Sequence, residues 1–189
     1  MARSLLGLQL THDTEAGRVI VALTEVEAYN GADDPASHAW RGRTPRNAVM
    51  FGPPGHLYVY FSYGLHWCAN VVCGPPGLAS AVLLRAGRVV EGLDLARVRR
   101  GSGIADSALA RGPACLTRAL GVDGRQDGLD LGSGGPLALR AGDPVSVVAA
   151  AGPRVGVSRA VDRPWRFWVP GDQTVTAYKR SPRAGPDPQ

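Results

Sequence analysis

Glu27 and Tyr29 stand two residues apart in the segment RVIVALTEVEAY. Side chains alternate faces along an extended chain, so this spacing puts a carboxylate and a phenol on one side of a strand. Further chemistry-bearing side chains follow: His38, Tyr58 and Tyr60, Tyr63, Asn70, and Arg85 at the end of AVLLR. A positioned carboxylate can take a proton from water or steady a developing cation. Aromatic faces stack on planar ligands and attract cations. Asn70 interrupts an apolar stretch, where a polar side chain needs a partner. Singly, each has an ordinary structural reading, such as a strand-end carboxylate, half-buried tyrosines, a loop histidine or a surface arginine. Taken as a set, the spacing describes an aromatic-walled pocket with one carboxylate, and no more.

Other chemistries lack their residues. The chain has no HExxH, no GxxxxGK[ST] and no GxSxG, and GSG at 101–103 lacks a third glycine and a preceding strand. Cys68, Cys73 and Cys115 are odd in number and form no CxxC pair, so neither a disulfide framework nor a zinc site is expected. No metal and no cofactor is called for. Lys and Arg total 21 against 16 Asp and Glu, and Lys179 is the one lysine. An arginine-rich basic surface permits a polyanionic partner, since the guanidinium fork suits phosphate. The apolar run in MARSLLGLQL is too short for a signal peptide or a membrane span. The expectation is a soluble cytoplasmic protein, nucleoid-associated if bacterial, and a monomer.

Elements must hold these groups in place. Residues 18–29 read as a strand that starts buried and then alternates, with Leu23, Glu25, Glu27 and Tyr29 on one face and Thr24, Val26 and Ala28 on the other. Residues 30–47 read as loop. Residues 57–63 and 67–73 read as two strands of a hairpin, and 78–86 as another strand. Five of the twelve Phe, Trp and Tyr residues fall between Tyr58 and Trp67, bracketed by GPPG at 52–55 and 74–77. Residues 88–100 suit an amphipathic helix despite Gly92, and 112–121 suit a second, with Pro113 in its first turn and Gly121 as its stop. Residues 122–144 read as Gly- and Asp-rich loop, 145–157 and 165–169 as strands, and 181–189 as a disordered tail behind a single domain of residues 1–180.

Six blocks occur in order: TEVEAY (24–29), SHAWRGRTPRNAVMFGPPGHLYVYFSYGLHWCANVV (37–72), AVLLRA (81–86), RGPACLTRALGV (111–122), RVGVSRA (154–160) and PWRFWVPG (164–171). Together they resemble the alkyladenine (3-methyladenine) DNA glycosylase family over roughly residues 4–171. The resemblance implies an α+β fold: one compact domain, a curved antiparallel sheet with flanking helices, and a β-hairpin that intercalates in DNA. It implies a monofunctional enzyme that flips damaged purines (3-methyladenine, 7-methylguanine, hypoxanthine, ethenoadenine) out of double-stranded DNA and hydrolyses the N-glycosidic bond. By position, Glu27 matches the general base. Arg85 and the Val155 backbone carbonyl match groups that hold the attacking water. Tyr29, His38 and Tyr60 match the residues that hold the everted base, and Asn70 the one that screens out guanine. Tyr63 matches the wedge, and Arg43 and Arg46 match DNA contacts. Tyr58, Phe61 and Trp67 are left mainly to packing. Cys115 stands where many relatives carry lysine.

Overall fold

The computed structural model describes residues 1–142 and 148–185. Its strands are β1 (Gln9–Thr14), β2 (Gly17–Asn30), β3 (Leu57–Ser62), β4 (His66–Cys73), β5 (Ser80–Glu91), β6 (Leu137–Arg140), β7 (Ala150–Gly152) and β8 (Arg166–Trp168). They form one curled antiparallel sheet in the order β3-β4-β5-β2-β1-β6, with β8 bridging β2 and β7. Two α-helices, α1 (Leu93–Arg100) and α2 (Pro113–Leu120), complete an α+β domain.

The two faces of the sheet divide the labour. One carries Val19, Val21, Leu23, Val26, Leu57, Val59, Ala69, Val71, Val82 and Leu84, which pack with Ala96 of α1 and Leu116, Ala119 and Leu120 of α2. This is the main core, and its loss of water contact is the principal stabilising term of the fold. The opposite face carries Glu25, Glu27, Tyr29, Tyr58, Tyr60, Cys68, Asn70 and Leu83. There a smaller apolar cluster of Ala39, Met50, Tyr58, Val72, Ala79 and Ala81 anchors the 31–51 segment over the sheet.

β2 is the spine. Residues 17–22 pair with β1, residues 25–27 pair with β8, and β5 runs along the other side for nearly the whole length. Glu25 and Glu27 are therefore enclosed by strands on both sides. The register with β5 slips twice at this point: Thr24 has no partner between Leu23↔Gly87 and Glu25↔Ala86, and Arg85 has none between Glu25↔Ala86 and Val26↔Leu84. Such bulges turn side chains to new directions. The slip at Thr24 corrects the expected face assignment. Leu23 joins Val26 in the main core, while Glu25, Glu27 and Tyr29 face the other way.

Three further expectations change. The helix expected from 88 begins at Leu93, because residues 88–91 extend β5 and pair with β2 (Val21↔Val89, Ile20↔Glu91). Gly92 makes the turn at φ 76, where a Cβ would meet the Arg18 carbonyl at 2.1 Å. The 122–144 loop contains β6, whose four residues pair with β1. Of the strand expected at 145–157, residues 143–147 lie outside the described residues, Ala150–Gly152 is strand and 153–157 is not. The 165–169 strand is present as Arg166–Trp168. The expected disordered tail falls partly on 186–189, also outside the described residues.

Each GPPG bracket is tied by its last glycine to the chain beside the other, at the base of the β3–β4 hairpin. Gly55 N–H donates to Val72 C=O and Gly77 N–H to Phe51 C=O, each at 2.9 Å. At the far end Tyr63 is 90% exposed with φ 51, and Leu65 is 70% exposed.

Candidate active site

Glu27 is fully buried at the centre of the sheet. Oε1 accepts from the Val155 backbone N–H at 2.7 Å, Oε2 accepts from the Tyr29 hydroxyl at 2.9 Å, and Arg85 Nη1 lies 3.4 Å from Oε2. Tyr29, Arg85 and Val155 all line a cleft of about 920 Å³ that opens to solvent between the 31–46 segment, the hairpin tip and residues 155–159. Glu27 thus sits one layer beneath the cleft. Desolvation raises the proton affinity of its carboxyl, and the opposing pull of Arg85, the Val155 amide and Tyr29 does not cancel the rise. The contact given by Val155 is through its N–H, which shares a peptide unit with the Arg154 carbonyl; the Val155 carbonyl named from the resemblance belongs to the next peptide unit.

Glu25, on the same face, has a different shell. It is also fully buried, and it accepts from Arg85 Nε at 2.7 Å, Arg166 Nε at 2.8 Å, and the Thr176 backbone N–H and hydroxyl at 2.7 and 2.8 Å. Desolvation pushes its carboxyl up, but Arg85, the Thr176 amide and Arg166 outweigh that, and its pKa falls below the ordinary carboxylate value. Arg85 is shared between the two carboxylates, and its shorter contact is to Glu25.

The aromatic groups converge around a recess of about 70 Å³ lined by Tyr29, His38, Met50, Tyr58, Tyr60 and Asn70, among others. The Tyr58 and Tyr60 rings stack at 5.5 Å, and the His38 ring stands edge-on to Tyr60 at 4.4 Å. His38 Nδ1 lies 3.2 Å from the Tyr58 hydroxyl. Burial, then the nearby Arg46 charge, lowers the imidazole's pKa, which favours its neutral form. Burial pushes Tyr58 up to about 12 and raises Tyr60 further, so both phenols stay protonated. Tyr58 therefore belongs to this wall as well as to the packing that the sequence suggested. Asn70 pairs across the hairpin with Tyr58, and its Nδ2 donates to the Tyr58 carbonyl at 3.1 Å. Phe61 packs on Trp67 at 4.7 Å.

Arg46 stands at the rim, donating to the Phe61 carbonyl at 3.0 Å with its guanidinium 5.7 Å from the Tyr60 ring. Its segment, Pro45–Phe51, is a 3₁₀ turn started by a Thr44–Asn47 capping box. Arg43 is exposed and outside the cleft lining, so this structure brings it to no site residue.

Behind these groups lies a buried ion pair that no pattern in the sequence singled out. Arg154 and Asp34, both fully buried, form a bidentate pair at 2.5 and 2.8 Å. Arg154 also donates to the Ala28 carbonyl at 3.0 Å and lies 4.6 Å from the centre of the Tyr29 ring. It immediately precedes Val155, so the clamp fixes both the ring of Tyr29 and the amide on Glu27. A signal for the Glu25 network was available: an E-x-E pattern on one strand face needs cations opposite it, and Arg85 and Arg166 both interrupt apolar strand segments.

Among the described residues no group of three or more His, Cys, Asp or Glu side chains converges as a metal site would. No helix among them is long and apolar enough to cross a membrane.

A curled antiparallel sheet with a buried carboxylate beneath an arginine-rimmed aromatic cleft is the setting in which the comparisons with known proteins fall. The family model described as methylpurine-DNA glycosylase (MPG) matches residues 1–173, and the chain belongs to that family. It is 55% identical over 183 residues to a Streptomyces avermitilis protein (95% of this chain, 86% of the relative). It is 54% identical over 190 residues to one from Nocardia farcinica (97% and 88%), and 51% identical over 166 residues to one from Burkholderia lata (87% and 78%). All three carry the name "Putative 3-methyladenine DNA glycosylase". The chain is thus a DNA-acting hydrolase of the N-glycosyl-bond class, a DNA-repair protein of the methylpurine-DNA glycosylase kind.

Proposed function

We propose that this chain everts damaged purines, 3-methyladenine, 7-methylguanine, hypoxanthine and ethenoadenine among them, from duplex DNA and hydrolyses their N-glycosidic bond with Glu27 as general base. The observation that carries this reading is the position of Glu27 directly beneath the cleft, held by Val155 N–H, Tyr29 O–H and Arg85. Family membership supports DNA as the substrate. The cleft lining supports it too: among the described residues it holds four arginines (Arg41, Arg46, Arg85, Arg159) and no Asp or Glu.

A base inside a duplex is out of reach of a buried carboxylate, and extruding it costs a few kcal/mol. Tyr63, exposed at the hairpin tip, is suited to fill the vacated stack as apolar wedges do elsewhere. Tyr29, His38 and Tyr60 form the walls for the extruded base, and base–aromatic stacking returns about 1–3 kcal/mol. Asn70, held by the Tyr58 carbonyl, meets the base edge and rejects guanine by its exocyclic amine. In the hydrolytic step water attacks the sugar's anomeric carbon while Glu27 takes the water proton. The glycosidic electron pair leaves with the base. An alkylated purine is already cationic and departs neutral, whereas hypoxanthine and ethenoadenine must be protonated before departure. Arg85 and the Val155 backbone carbonyl position the water, and Arg43 and Arg46 contact the DNA backbone.

The enzyme is read as monomeric and without lyase activity. Lys179 is the one lysine; its backbone carbonyl accepts from Gly156 N–H at 2.9 Å, but its side chain is exposed and does not line the cleft. Single-turnover assays on duplexes carrying each lesion test the reading. Release of free base and an alkali-labile abasic site are expected, with no borohydride-trapped protein–DNA adduct. Tight binding without an abasic product would instead mark a non-catalytic base-sensing module.

A further inference from the structure

The chemistry at Glu27 leaves one part of the cleft unused. Trp40 is half-buried on the segment after β2, and two guanidinium groups lie over its indole, Arg41 at 5.5 Å and Arg159 at 4.9 Å. The two arginines come from distant parts of the chain and both line the cleft. Among the described residues neither forms an ion pair with a carboxylate. A guanidinium braced on an aromatic face keeps its N–H donors free in its own plane and has already lost much of its rotamer freedom, so it gives up little on meeting an anion.

The backbone marks the same place. Among the described residues only Tyr63 (φ 51) and Ala160 (φ 47) are non-glycine residues in the left-handed region. Such conformations persist where the surroundings impose them, and they cluster at ligand-gripping sites. One lies at the hairpin tip and the other directly follows Arg159, so the two flank the same opening.

We propose that Trp40, Arg41 and Arg159 form a second grip on DNA, an indole-braced guanidinium pair that holds two backbone phosphates of the strand entering the cleft. The inference rests on the reading of this cleft as a DNA site and adds to it the residues that take the phosphodiester on the wall away from Tyr63. Phosphate suits the fork of Arg, and the described residues of the lining include no carboxylate to compete for the charge.

The test is the salt dependence of binding to undamaged duplex DNA. Each lost phosphate contact flattens the slope of log K against log salt by about 0.9. Arg41→Gln and Arg159→Gln should each flatten it by about one and the double variant by about two, with thermal melts confirming that the variants fold. Trp40→Leu keeps both charges and should weaken affinity roughly three- to tenfold with the slope unchanged. Arg88→Gln, a control outside the cleft and paired with Asp172, should leave the slope at the wild-type value. A double variant with the wild-type slope overturns the grip, and Trp40→Leu with wild-type affinity overturns the role of the indole. Failure of the wild type to release a damaged base would instead count against the glycosylase reading, and the slopes would be unaffected by it.

Discussion

Glu25 and Glu27 are two residues apart on one strand face, both fully buried, and both touch Arg85. Their proton affinities nevertheless move in opposite directions. Glu25 has two arginines, a backbone amide and a hydroxyl directed at it. Glu27 has one amide, one phenol and the looser of the two Arg85 contacts. Desolvation is the largest influence on both and weighs more on Glu27, and the donors that oppose it are more numerous and closer at Glu25. The donors around Glu25 outweigh its desolvation and those around Glu27 do not, which suits a structural carboxylate and a base respectively. Arg85 serves both, but its Nε is committed to Glu25 and only the edge of its guanidinium reaches Glu27.

The comparison can be broken most severely at the base. Glu27→Gln should lower the single-turnover rate of base release by about 10²–10⁴, the range of a positioned general base, while DNA affinity changes little. A variant with near-normal turnover would remove Glu27 from the mechanism.

Glu25→Gln should next show its effect in stability rather than in chemistry alone. Removing the charge leaves Arg85 and Arg166 buried with less compensation, a loss of about 3 kcal/mol or more. For a chain of this size that is roughly 6–12 °C in Tm. A Tm within a degree of wild type would show that the Glu25 network is not structural.

The third contrast is one of sign. Glu27 has its carboxyl raised in the folded state, so its favourable contribution exists below the unfolded carboxyl value and is lost as pH rises through the folded value. Neutral pH is therefore where ionised Glu27 costs stability, and Glu27→Gln should raise Tm there by a few degrees, about 1 kcal/mol. Glu25 is the reverse. Its carboxyl is lowered, its contribution is present above the unfolded value, and it is lost as pH falls through the folded value. The gap between wild type and Glu25→Gln should thus be widest at neutral pH and close on acidification, and melts at a series of pH values would show both trends.

The smallest effect is expected at Tyr29. Tyr29→Phe removes one donor from the Glu27 carboxylate and raises that group's proton affinity further. The acid limb of the pH–rate profile should move to higher pH, with the plateau rate falling by less than about tenfold. An unmoved limb would mean that the 2.9 Å contact does not act on the ionised base.

Much of this arrangement was legible in the chain. The alternation of TEVEAY put Glu27 and Tyr29 on one face, and the GPPG-bracketed segment formed the hairpin it suggested, with Tyr63 at the tip. β6 and the N-terminal strand β1 were not legible. QLTHDT and LALR are short and weakly patterned, and they become strands because each supplies the other with a partner beside β2. The 88–100 helix was overextended because sheet pairing of residues 88–91 overrode a helical period.

By itself the sequence determined the ordered blocks that assign the family, the face that Glu27 shares with Tyr29 and the one that Tyr58 shares with Tyr60, and a surplus of arginine over acid. Only the tertiary structure decided which acid has its proton affinity raised. The bulges at Thr24 and Arg85 point both glutamates and Arg85 to the same side, and strand pairing on both edges of β2 closes both carboxylates off from solvent. The 153–159 segment then brings the Val155 amide to Glu27 and Arg159 to Trp40, across 128 and 119 positions of chain respectively. No local pattern encodes such contacts, because they arise from the register of β8 and from the Arg154–Asp34 clamp that anchors the segment to the end of β2.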